Sequence, residues 1–188
     1  MKKFLALVLV STCIIQVLPT QAQYSAAIKG GINSGYLSGF EGNSRISGHI
    51  GLALHRSINR NWAFQPELLY SGEGQRYVSS EGEERTIALD YIQVPLMVQF
   101  FPVRQLYFEF GPQVGILTSA RDKGHDVVNV NSDFTPAQLG FNLGIGVRAN
   151  NNIGFYGRYC FGLTDVSRFD DIVDQSRVGQ IGVSIQLR

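Results

Sequence analysis

The sequence predicts an all-β protein, an eight-stranded antiparallel up-and-down barrel, and three observations carry that prediction. Apolar and polar residues alternate with period two through eight segments, as they do when the two faces of a strand meet different surroundings. The connections alternate between short and long, the layout of a barrel with tight turns at one rim and loops at the other. After residue 22 no run of about 18 consecutive apolar residues occurs, so no segment has the pattern of a membrane-crossing helix.

The first segment is not part of the barrel. Met1-Lys2-Lys3 is basic, Phe4 to Leu18 is apolar but too short to span, and Thr20-Gln21-Ala22 places small residues at the −3 and −1 positions of a cleavage site. This predicts a cleaved signal peptide over residues 1–22 and Sec-type export, with residues 23–188 as one domain. Thr12 precedes Cys13, where a lipoprotein signal wants Gly or Ala. Loss of Cys13 with the signal leaves Cys160 alone, without an internal disulfide.

The strands follow in order. Ala26 to Asn33 sets Ile28 and Ile32 against Lys29 and Asn33. Gly48 to Arg56 sets Ile50, Leu52 and Leu54 against His49, Gly51, Ala53 and His55. Trp62 to Ser71 sets Trp62, Phe64, Pro66, Leu68 and Tyr70 against Gln65, Glu67 and Ser71, with Leu69 as the exception. Ile87 to Phe101 has one apolar face, from Ile92 to Phe100, and one mixed face. Leu106 to Leu117 sets Phe108, Phe110, Val114 and Ile116 against Glu109, Gly111, Gln113 and Gly115. Residues 140–148, Ile153 to Thr164 and the stretch from Ile181 to Arg188 behave alike. Short connections fall near 57–61, 102–105 and 149–152. Long, charged ones fall near 34–47, 72–86, 119–136 and 165–177. Pro66, Pro95 and Pro112 lie within strands, and each implies a missing hydrogen bond or a bulge.

The polar face decides which way the barrel is turned. A soluble barrel would present Lys, Glu and Thr outward and enclose its apolar residues. Here the polar face is mostly glycine, with some Gln, Asn and Ser and about one charge per strand. Glycine suits the crowded inside of a narrow barrel and is a poor choice on a solvated strand. The apolar face therefore points to lipid, and the fold class becomes a transmembrane barrel with short periplasmic turns and longer outer loops. Trp62, Phe64, Phe100, Phe101, Phe108 and Phe155 lie near the short turns, where an aromatic girdle belongs. The net charge of +1 argues against a nucleic-acid partner.

Five ordered stretches resemble a known family. They are Ile28-Lys29-Gly30-Gly31-Ile32-Asn33, Gln65-Pro66-Glu67-Leu68-Leu69-Tyr70, Leu89-Asp90-Tyr91-Ile92-Gln93-Val94-Pro95-Leu96, Phe110-Gly111-Pro112-Gln113-Val114-Gly115, and Gly157-Arg158-Tyr159 with Gly162-Leu163-Thr164. Together they resemble the outer-membrane β-barrel domain of the PorT-like, porin-family proteins of Gram-negative bacteria. The resemblance implies an eight-stranded barrel in the cell outer membrane, with the lipid bilayer and the outer-membrane insertion machinery as partners. It implies no particular solute. Such barrels commonly end in an aromatic residue, whereas this chain ends Leu187-Arg188.

The inward face carries Lys29, Glu67, Glu109, Arg148 and Arg158, with Asp90 and Arg188 at its margins. In a narrow lumen these are expected to pair as a polar network that fills the barrel and holds its register, since unpaired buried charge is costly. The expected function is structural or binding, without catalysis, cofactor or metal. One alternative is a soluble exported barrel enclosing a small apolar ligand. Another is an outer-membrane hydrolase using Ser47 and His49 beside the acidic stretch from Asp165 to Asp174, although no motif spacing joins them. Asn129, Asn131 and Asp133 alternate as calcium ligands do, but the glutamate that closes such a loop is missing.

Overall fold

The computed structural model describes residues 24–38, 42–79, 82–124, 127–130, 135–164 and 175–187. The expected signal segment, residues 1–22, lies outside them, as do Asn131, Asp133, the stretch from Asp165 to Asp174, and Arg188. The described residues form nine strands: β1 Tyr24–Leu37, β2 Asn43–Ser57, β3 Trp62–Val78, β4 Glu84–Phe100, β5 Leu106–Lys123, β6 Val127–Asn129, β7 Ala137–Arg148, β8 Ile153–Gly162 and β9 Ser176–Leu187.

All pairings are antiparallel, and they run β1–β2–β3–β4–β5–β7–β8–β9 before β9 returns to β1. The closing ladder extends from Ala26 opposite Leu187 to Leu37 opposite Ser176. β6 pairs with β5 at Arg121 to Lys123, just past the point where β7 leaves it at Ile116. β6 and β7 are thus two pieces of one neighbour, and the ring is the eight-stranded up-and-down barrel that the alternation predicts. Each of the eight strands of the ring has a partner on both sides, the condition a sheet must meet in hydrocarbon.

Side chains alternate across this wall. Leu52, Leu54, Leu68, Ile92, Val114, Leu143, Ile145 and Ile181 face outward and are exposed, while Lys29, Asn33, Glu67, Gln93, Glu109, Asn142 and Arg158 are buried inside. This is the inverse of a soluble barrel, and it overturns the reading of an enclosed apolar ligand site. Glycine on the inner face makes room for tyrosine. Tyr107 lies opposite Gly146, and Tyr156 lies opposite Gly182. A Cβ at Gly146 would stand 2.2 Å from the Tyr107 ring, and one at Gly182 would stand 2.7 Å from that of Tyr156.

The strands outrun the alternation. Residues 72–86, expected as a loop, are mostly hairpin, with β3 and β4 paired out to Val78 opposite Glu84. β5 likewise continues to Lys123. Polar residues such as Arg76, Thr86 and Asp122 break the pattern there, because a strand beyond the bilayer need not carry an apolar outer face. Gly74 takes φ of +118°, a conformation that favours glycine, and a Cβ there would meet the Ile87 carbonyl at 2.1 Å. The prolines sit where the ladders lapse: the β3–β4 pairing skips Glu67 and Leu68, opposite Pro95 and Val94, and the β4–β5 pairing skips Leu96 and Met97, opposite Pro112 and Gly111.

Two of the three short turns are built alike, and all three are tied to their neighbours. Asn59 Oδ1 accepts from the backbone of Asn61 and Trp62, and Asn150 Oδ1 accepts from that of Asn152 and Ile153, two side-chain-closed turns. Backbone bonds then link neighbouring turns and ends: Phe101 N to Asn61 O at 2.7 Å, Arg148 N to Gln105 O at 2.7 Å, and Gln186 N to Asn152 O at 2.7 Å.

Candidate functional site: the lumen network and the short-turn vestibule

Mid-barrel, β3, β5 and β8 each send one charged side chain to a common centre. Arg158 Nη1 and Nη2 donate to the two oxygens of Glu67, each at 2.9 Å. Its Nε donates to Glu109 Oε1 at 2.9 Å. Lys29 Nζ adds a second cation to Glu67 at 2.8 Å and stands 3.9 Å from the Tyr156 ring centre. Amides complete the carboxylates: Gln65 Nε2 donates to Glu67 at 2.8 Å and Gln99 Nε2 to Glu109 at 3.1 Å. All four charged residues are buried, so each charge depends on these partners.

Toward the long-loop end a second chain of polar groups crosses the barrel. Asn33 Nδ2 donates to Ser71 Oγ and to the Gly72 carbonyl, so its Oδ1 accepts from His49 Nδ1 at 2.6 Å. His49 Nε2 then accepts from the Tyr156 hydroxyl at 2.5 Å. Beyond it, Glu73 accepts from Gln93 Nε2 and Ser176 Oγ, both at 2.5 Å, and Arg45 donates to its backbone carbonyl. An apolar cluster of Ile87, Leu89, Tyr91 and Ala120 lies inside the extended part of the wall. Outside the apolar band, Asp122 accepts from Tyr77 and Arg85. Burial and then that carboxylate push the Tyr77 phenol up, and Arg85's own hydrogen bond to Asp122 raises its guanidinium.

Toward the short turns the lumen opens into a vestibule of about 630 Å³. His55, Gln65, Gln99, Phe101, Tyr107 and Arg148 line its inner part, and Arg60 and Arg104 stand on the turns around it. Arg148 is not in the central network. Its guanidinium lies 4.4 Å from the Phe101 ring centre, and its Nη2 donates to His55 Nε2 at 3.1 Å. Lys29, Glu67, Glu109 and Arg158 therefore come together, and Arg148 corrects the expectation: β7 places it too near the turn rim to reach them. Asp90 pairs with Arg121 at 2.8 Å instead. Cys160 is buried with a free thiol.

Trp62, Phe64, Phe100, Phe108 and Phe155 face outward near the short turns, with Trp62 and Phe100 in contact at 4.9 Å between ring centres. Phe101 does not join them. It follows the outward Phe100 by one residue, so the pleat turns it inward onto Tyr107, 5.3 Å away. A second outward group, Tyr36, Tyr70 and Phe161, marks the other end of the apolar band. Sequence reading missed it because alternation alone does not give a residue's height along a strand. Ser47 Oγ donates to the Gly72 carbonyl at 2.6 Å, so no nucleophile–base contact joins it to His49. The other part of the expected rim site, from Asp165 to Asp174, lies outside the described residues.

Comparison with known proteins gives the same picture. The family model for the outer membrane protein β-barrel domain matches residues 21–168. Neisserial surface protein A superposes with a TM-score of 0.59 at 13% identity, covering 89% of this chain and 99% of that one. Ail, the attachment invasion locus protein of Yersinia pestis, superposes with a TM-score of 0.52 at 12% identity, covering 89% and 100%. No curated protein sequence matches this chain.

Proposed function

The chain belongs to the outer membrane protein β-barrel domain family and lies in the Gram-negative outer membrane, and from that premise we propose a closed barrel with a structural or binding role and no catalysis. The observation that supports this is the tie across the lumen. Arg158 and Glu67 stand on opposite walls of an eight-membered ring and meet at 2.9 Å, with Lys29 and Glu109 filling the space beside them. A narrow barrel plugged by paired charges presents no continuous water path. In this reading residues 1–22 direct export, the insertion machinery places the mature barrel, the short turns face the periplasm, and the long loops face outward.

Planar-bilayer recording tests the closed lumen. The refolded chain is expected to insert without steady single-channel currents. Large, stable openings of the unmodified protein would overturn the proposal. Heat-modifiable gel migration of the same sample establishes that the barrel was folded when recorded.

A further inference from the structure

The vestibule has a chemical bias that a mere gap between turns would not have. Arg60, Arg104 and Arg148 line it, and among the described residues no carboxylate does. A half-buried guanidinium without a carboxylate is costly unless something else supplies the negative charge. We propose that this vestibule is a binding site for a small anion, with Arg148 gripping the anionic group.

The arrangement of the inner end specifies the ligand's chemistry. Arg148 can only donate, so His55 Nε2 accepts from it and the imidazole proton sits on Nδ1. That Nδ1–H faces the side chains of Gln65 and Gln99, which hold the ring in place at only 5% exposure. Gln99 gives its amide nitrogen to Glu109 and presents Oε1 to His55. The polar groups around Arg148 thus answer one another and leave a fixed cation facing the vestibule. A fixed guanidinium suits a carboxylate or phosphate. Stacking on Phe101 and the bond to His55 hold Arg148 in place while leaving other guanidinium N–H groups available.

Two further features fit a site. The rim is rigid, because backbone bonds join Asn61 to Phe101, Gln105 to Arg148 and Asn152 to Gln186, so little ordering is left to oppose binding. The volume of about 630 Å³ lies within the range of small-molecule pockets. The vestibule lies on the turn side of the central network, so this proposal stands whether or not the lumen conducts.

Isothermal titration of the refolded full chain in zwitterionic micelles tests it, with succinate and inorganic phosphate as probes and glycerol as the neutral control. At least one anion should bind saturably, and which one does separates a carboxylate site from a phosphate site. Arg148→Gln should weaken that binding about tenfold, the loss of one charge-assisted hydrogen bond. Arg85→Gln, in the outer ion pair, should leave it unchanged. Saturation by neither anion would overturn the proposal, and so would wild-type affinity in Arg148→Gln. Should Arg148→Gln fail to fold, the Arg60→Gln/Arg104→Gln double variant on the exposed turns is read instead. Weakened binding there supports the site, and unchanged binding overturns it.

Discussion

Arg158 and Glu67 join opposite walls of the barrel through two parallel hydrogen bonds, Nη1 to Oε2 and Nη2 to Oε1, each at 2.9 Å. In the ring order, β3 and β8 are separated by three strands on either side. The pair therefore fixes a diameter, which bonds between adjacent strands cannot do.

Breaking this tie from the cationic side should be severe. Arg158→Met leaves Glu67 with Lys29 and the Gln65 amide and Glu109 with only an amide, and is expected to cost about 3–5 kcal/mol. Urea unfolding of the refolded barrel reads this as a lower midpoint. Adding Glu109→Gln to Arg158→Met should restore part of the loss, because the stranded charge is then removed. A double variant no more stable than Arg158→Met would show that packing, not charge, sets the cost.

The tyrosine–glycine pairs predict a position-specific penalty. Gly146→Ala forces a Cβ into the Tyr107 ring and should destabilise by about 1–3 kcal/mol. Gly157→Ala, whose Cβ would find its nearest neighbour at 4.0 Å, should change stability by less than about 0.5 kcal/mol. The same unfolding measurement compares them, and equal effects would remove the close-approach explanation.

Charge on the outer wall should be tolerated according to height. Leu68→Lys, mid-strand on the apolar face, is expected to cost about 2–4 kcal/mol for folding into phospholipid vesicles, whereas Val78→Lys at the far end of β3 should cost at most about 1 kcal/mol. Folding titrations in vesicles measure both. Equal costs would mean that the band of lipid contact extends farther than the strand pattern indicates.

Trp62 is the only tryptophan, so its fluorescence reports one rim. If it belongs to an interfacial girdle, lipids labelled near the headgroup should quench it more strongly than lipids labelled deep in the chain. Stronger quenching by the deep label would place this rim inside the hydrocarbon.

Much of this molecule was legible in its sequence. Leu106 to Leu117 shows why: Phe108 and Phe110 alternate with Glu109 and Gly111, and a strand has only two faces, so composition alone told which face met lipid. The same logic located Lys29, Glu67, Glu109 and Arg158 on one inner surface. It failed past Ser71 and Leu117, where both faces are mixed and the strands nonetheless continue. It also missed β6, whose three residues are too few to show a period.

Phe101 and Arg148 mark the boundary between the two kinds of information. By itself the sequence determined the strand faces and the short-turn positions, because each follows from local alternation and spacing, while the outer-membrane class came from the ordered stretches that resemble a known family. Tertiary structure alone decided which inner side chains share a height. Strand tilt and register set that height, and they arise only when the ring closes through β1 and β9. Closure brought Arg158 level with Glu67 and Glu109, and left Arg148 at the rim with Phe101 and His55.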